Sequence, residues 1–164
     1  MKHVFLFDVD SVLVEANGYL RALQDTVAHF SRRMGLGAHA PTEVEVRAGE
    51  AHGLTSEWDS APMYITVLLM ARLQQEPTLV PPPRWPDAMD ALGAQPLTLA
   101  HPDYAAWVAQ AGARLSQGDR TASQSAREAI EVASAVLSPA QRTALVPLLD
   151  TLFNHTHEFD QAPI

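Results

Sequence analysis

Two carboxylates near the amino terminus have the types and the spacing to do chemistry together. Asp8 and Asp10 follow the apolar run Val4-Phe5-Leu6-Phe7. That run is rich in Phe and Val and lacks helical spacing, so His3 to Val9 is expected to form a buried strand of the kind found in parallel sheets. At an extended strand end, side chains two residues apart point the same way, about 7 Å apart. Carboxylates just past the carboxyl end of such a strand lie where open α/β sheets bind ligands. Mg2+, a hard cation that takes oxygen ligands, would relieve their repulsion and neutralise an entering phosphate. One carboxylate could then attack phosphorus to give an aspartyl-phosphate, while its neighbour serves as general acid and then base.

Such a pair needs elements to hold it. From Asn17 to about Met34, Leu20, Leu23, Val27 and Phe30 recur at helical intervals, and Gly35 and Gly37 close the segment. Thr42-Glu43-Val44-Glu45 is a capping-box start for a short helix. A longer apolar helix is expected from Ser56 to roughly Gln75, with Pro62 kinking it or delaying its start. Thr78 to Pro86, containing Pro81-Pro82-Pro83, predicts a stiff extended linker, followed by a short helix over Asp87 to Leu92. Three more helices follow, over about 102–117, 121–137 and 139–154. Ser138 is the expected N-cap of the last, with Pro139 at its first position, Gln141 as capping-box partner and Pro147 bending it. The expected order is thus one strand and then six or seven helices. A lone buried strand leaves backbone groups unpaired at about 1–3 kcal/mol each, so partner strands are expected from elsewhere.

Composition narrows the function classes. With 164 residues and 47% hydrophobic content, the chain can bury the core of one ordinary domain. The formal net charge of −8 gives no general basic surface for nucleic acid or an anionic membrane. There is no cysteine, hence no disulfide framework and no thiolate metal site. The apolar stretch at the amino terminus is too short for a signal peptide or a membrane span, so a cytoplasmic location is expected. Lys2 is the only lysine.

The run Val4-Phe5-Leu6-Phe7-Asp8-Val9-Asp10-Ser11-Val12-Leu13-Val14 resembles the first motif of the haloacid dehalogenase superfamily, an apolar strand followed by Asp-x-Asp-Gly-Thr/Val-Leu-Val. The resemblance continues through Asn17-Gly18-Tyr19, Arg21, Asp25-Thr26-Val27 and His29-Phe30. It also includes Ser56-Glu57-Trp58-Asp59, similar to an Asn-Asp-Trp-Asp stretch in the helical cap of one uncharacterised subfamily. About the first 70 residues carry it; the remainder matches only as a generic helical cap.

The resemblance implies Asp8 as nucleophile and Asp10 as acid/base. It also implies Mg2+ held by the Asp8 carboxylate and the Asp10 backbone carbonyl. Ser11 stands where the family usually has Gly. The implied fold is α/β and Rossmann-like for the intact protein, with the chain as given mainly α. In that division, 1–16 is the first core strand and motif loop, 17–160 the α-helical cap, and 161–164 the start of a return to the core. No later strand ends in the family's Ser or Thr, no lysine follows the nucleophile, and the acidic pair Asp87 and Asp90 falls in a helical stretch. The implied function is a Mg2+-dependent phosphatase acting on a small phosphorylated metabolite. Catalysis would then await a missing core segment or a partner chain.

Other readings stand beside this one. Arg21 is a candidate phosphate or carboxylate contact. Trp58 is a candidate substrate contact or a cap-core residue, while Glu57 and Asp59 suit the positive end of a helix. His155 and His157 read as solvated loop residues rather than metal ligands. Leu68, Leu69 and Leu73 read as core, and Leu145, Val146, Leu148, Leu149 and Leu152 as core or interface. The whole chain could instead be a non-catalytic helical module that associates with a partner or a copy of itself. Dehalogenase chemistry is disfavoured by the acid at Asp10, and phosphonatase chemistry by the lack of a cap lysine.

Overall fold

The computed structural model describes residues 17–116 and 121–160, with the backbone alone for Asn17, Glu57, Trp58 and 154–160. The described residues form seven α-helices and contain no strand: α1 Asn17–Arg33, α2 Glu43–Ala51, α3 Glu57–Gln75, α4 Trp85–Gly93, α5 Tyr104–Leu115, α6 Ala122–Ala133 and α7 Pro139–Asp160. A single 3-10 turn, Ser134–Val136, extends α6. The mainly α character expected of the chain is therefore observed. The strand expected over His3 to Val9 lies outside the described residues.

α3 is the axis of the fold. Every residue from Met63 to Met70 is buried, which requires neighbours on all sides of the helix. Those neighbours are α1, α5, α6 and α7. Leu68, Leu69 and Leu73 are fully buried, as expected, and so are Tyr64 and Thr66. On α7, Leu145, Leu148 and Leu149 join the same core, whereas Val146 is exposed.

Local chemistry explains most element boundaries. Thr42 caps α2 through a full capping box with Glu45, and Thr121 caps α6 in the same way with Gln124. At the start of α7 the Ser138 amide donates to Gln141 Oε1 at 3.1 Å and the Gln141 amide donates to Ser138 Oγ at 3.3 Å. Asp103 accepts from the Ala106 amide and starts α5 at Tyr104, two residues later than the sequence suggests.

Three expectations need correction. Pro62 does not delay α3, which starts directly after Ser56 and runs through it; only one intrahelical bond is lost there. α4 begins at Trp85, two residues early, because Pro86 at a first-turn position lacks an N–H that would have had no partner. α7 runs to Asp160, so the backbone at His155 and His157 is helical rather than a loop.

The α1–α4 contact is unusually close. The Leu97 amide donates to the Gly35 carbonyl at 2.9 Å, and a Cβ on Gly35 would lie 3.2 Å from Pro96 Cα. Gly35 has φ +72, so its missing side chain satisfies both the left-handed turn and the approach. Across this contact Phe30 meets Trp85 edge to face, and Trp85 Nε1 donates to the Leu148 carbonyl at 2.8 Å. Among the described residues, no helix is long and apolar enough to cross a membrane.

Candidate functional site

The first turns of α1 lead directly from the segment that carries Asp8 and Asp10. Those two residues, the expected nucleophile, acid/base and metal ligands, lie outside the described residues. Asn17 is seven positions after Asp10, so covalent geometry limits the Cα–Cα distance between them to about 25 Å.

A pocket opens beside those first turns. α1 contributes Tyr19, Leu20 and Leu23; α2 contributes Val46 and Glu50. The α2–α3 connection adds Leu54 and Thr55, and α3 adds Ser60. Leu23, Val46, Leu54 and Ser60 are buried and form its floor, whereas Tyr19, Glu50 and Thr55 stand at its exposed rim. It is a small recess with a volume of about 70 Å3, open to solvent at its mouth.

This geometry joins two stretches that sequence alone singled out. Tyr19 belongs to the first, and Ser60 directly follows the second, Ser56-Glu57-Trp58-Asp59. The fold brings both to one end of the helical unit. The backbone of Trp58 lies in the first turn of α3, at that end. Arg21 behaves differently from its expected role. Its side chain is 84% exposed, it is absent from the pocket lining, and it lies 3.9 Å from Asp25 one turn further along α1. Two residues after Tyr19 on a helix, it occupies another face. Glu50, Thr55 and Ser60 were not identified from the sequence. Ser60 could have been, since it continues the Ser56–Asp59 run; Glu50 carries no such signal.

A second polar cluster lies between α2, α3 and α5. The Glu45 carboxylate accepts from the Thr42 amide at 2.7 Å and the Thr42 hydroxyl at 2.8 Å. His101 Nε2 lies 3.1 and 3.2 Å from its two oxygens. The His101 ring meets Tyr104 edge to face, and Tyr104 meets Tyr64 in the same way. Burial, and then the Glu45 charge, push both tyrosine hydroxyls well above their ordinary value. Neither is therefore suited to proton transfer near neutral pH. The cluster contains a positioned Glu–His pair but no serine or cysteine nucleophile, and its evident effect is to tie the 94–103 connection to α2.

Among the described residues, no group of three or more His, Asp or Glu side chains is placed to hold a metal ion. No protein-family model matches the chain, and neither curated proteins nor solved structures include a significant match to it.

Proposed function

We propose that the chain is part of a Mg2+-dependent phosphomonoester hydrolase of haloacid dehalogenase type, with a Rossmann-like core and the helical unit as its cap. Asp8 attacks phosphorus and releases the leaving alkoxide. Asp10 protonates that alkoxide and then takes a proton from the water that cleaves the aspartyl-phosphate. The donor set, the Asp8 carboxylate and the Asp10 backbone carbonyl, is hard oxygen and suits Mg2+, which when bound would offset the charge of the phosphate. Further core strands, from additional sequence or a partner chain, complete the sheet around the first strand. The substrate is a small phosphorylated metabolite, and the setting is cytoplasmic.

One observation carries this reading: the Asp8-Val9-Asp10 pair stands directly after the apolar run Val4-Phe5-Leu6-Phe7, in the segment that leads into α1.

The test is Mg2+-dependent hydrolysis of p-nitrophenyl phosphate by the natural gene product, purified with any polypeptide that accompanies it. Asp8→Asn is expected to lower kcat by about 10³-fold or more. Asp10→Asn is expected to lower it by about 10²–10⁴-fold. Undiminished hydrolysis in Asp8→Asn overturns the mechanism.

A second reading, a non-catalytic helical interaction module, is favoured by the continuous core that α1 to α7 enclose among themselves. A gene product of 17.8 kDa that purifies alone and lacks hydrolase activity would favour it.

A further inference from the structure

We propose that the outer face of α7 is an interface between two copies of this chain, packed antiparallel about a two-fold axis at Val146. The proposal is independent of the phosphatase reading. α7 buries Leu145, Leu148 and Leu149 in the core and leaves Val146 49% exposed. Arg142, Val146 and Asp150 follow one another at four-residue intervals, so they form one inclined stripe about 12 Å long on the helix surface. The stretch between its ends, Thr143-Ala144-Leu145-Val146-Pro147-Leu148-Leu149, carries no charge. The stripe therefore runs from a cation through an apolar centre to a carboxylate.

Its two ends differ in charge. Arg142 is exposed and pairs with no described carboxylate. At the other end Asp150 shares Arg127 with Glu131, at 2.6 and 2.9 Å from the guanidinium. Two carboxylates on one guanidinium leave that end net negative, and the Asp150 side chain is still 46% exposed. A second α7 turned end for end over the first sets each Arg142 against the opposite Asp150, and Val146 against Val146. A parallel copy would set like charges together, so charge order selects the antiparallel pairing. A two-fold interface must be self-complementary, and this stripe is. An unrelated partner would have to reproduce the same charge order, whereas a second copy already carries it. One helix face offers less than the roughly 800 Å2 per partner of a lasting dimer. The association is therefore reversible, with a Kd on the order of 10–100 µM.

Sedimentation velocity of the purified chain is expected to show reversible dimers as its concentration rises toward about 1 mM. Arg142→Asp and Asp150→Arg each place like charges at both ends of the pair, and each is expected to weaken dimerisation about 10-fold or more. Mixed in equal amounts, the two variants are expected to form a heterodimer about 10-fold tighter than either variant forms alone. That rescue excludes misfolding as the cause of the loss. The chain has no cysteine, so Val146→Cys reports on the axis directly. Mild oxidation is expected to link two copies through it, while Thr151→Cys, about 7.5 Å further along α7, stays unlinked. A chain that remains monomeric overturns the proposal and leaves the face to a different protein. A dimer indifferent to both charge reversals overturns it too, as does a Thr151→Cys link that forms faster than the Val146→Cys one.

Discussion

Gln141 Nε2 lies 3.0 Å from the carbonyl oxygen of Leu73, 68 residues earlier in the chain. The same nitrogen lies 3.0 Å from the carbonyls of Glu76 and Leu79. Its two N–H groups thus serve the carbonyl-rich end of α3, while Oε1 closes the capping box of α7. One side chain satisfies orphan groups at the ends of two different helices.

Gln141→Leu should accordingly cost more than the loss of an ordinary cap. The buried carbonyls lose their donor and the Ser138 amide loses its acceptor, for a total of about 2–4 kcal/mol. Gln141→Glu keeps the acceptor but sets a carboxylate against three carbonyl oxygens, and should be at least as destabilising. Urea unfolding of both variants checks this, and a loss under 1 kcal/mol for Gln141→Leu would contradict it.

Arg72 gives a second stability prediction. It is completely buried and pairs with Glu76 at 2.8 Å, while Nη2 donates to the carbonyls of Leu92 and Gln95. Nε and Nη1 face no acceptor. The Nη2 hydrogen bonds hold α3 against the end of α4, at the expense of two desolvated N–H groups on the same side chain. Arg72→Ala leaves Glu76 unpaired and opens a cavity, at a cost of about 3 kcal/mol. Arg72→Met combined with Glu76→Gln should recover at least half of that loss, because a buried pair is replaced well by apolar volume. A double variant as unstable as Arg72→Ala would show the charge itself to be essential.

The helical organisation was legible because capping is local. Thr42 with Glu45 and Ser138 with Gln141 each stand three residues apart and announce a helix start without tertiary help. The apolar run through Met63 to Met70 marked a buried helix for the same reason. The pocket was only half legible. Tyr19 and the run before Ser60 were visible as motifs, but Glu50 enters because α2, packed on α5, ends beside the first turns of α1 and α3, which no local pattern encodes. Arg72 was missed because arginine on a helix normally reads as surface, and only the open carbonyls of α4 make its burial tolerable.

Alkaline pH should destabilise the fold through Tyr64 and Tyr104. Both hydroxyls are raised above their ordinary value of 10.0, chiefly by burial. An acid whose pKa is raised on folding stabilises the protein fully below its unfolded value, and that stability is lost as pH climbs toward the folded value. Unfolding free energy should therefore fall above pH 10, by up to about 1.4 kcal/mol per pH unit for each tyrosine. Absorbance at 295 nm measures this directly. Of the three tyrosines, two should ionise only as helical circular dichroism is lost. Smooth titration of all three in the folded protein would contradict the buried cluster.

Gly93 distinguishes helix propensity from packing. It is the last residue of α4, where alanine would ordinarily be favoured by up to about 1 kcal/mol. A Cβ at this position would lie 2.6 Å from the carbonyl oxygen of Arg33 at the end of α1. That atom is backbone, and α1 is held beside α4 by the Phe30–Trp85 contact and the Leu97–Gly35 hydrogen bond, so relief requires the two helices to separate. The steric effect should win, and Gly93→Ala should destabilise by about 1–3 kcal/mol. The exposed Arg33–Asp90 pair at the same contact, 2.9 Å, contributes under about 1 kcal/mol and cannot hold the ends together by itself. Thermal unfolding of Gly93→Ala decides between the two effects. A raised Tm would mean that α1 and α4 are not in contact at this point.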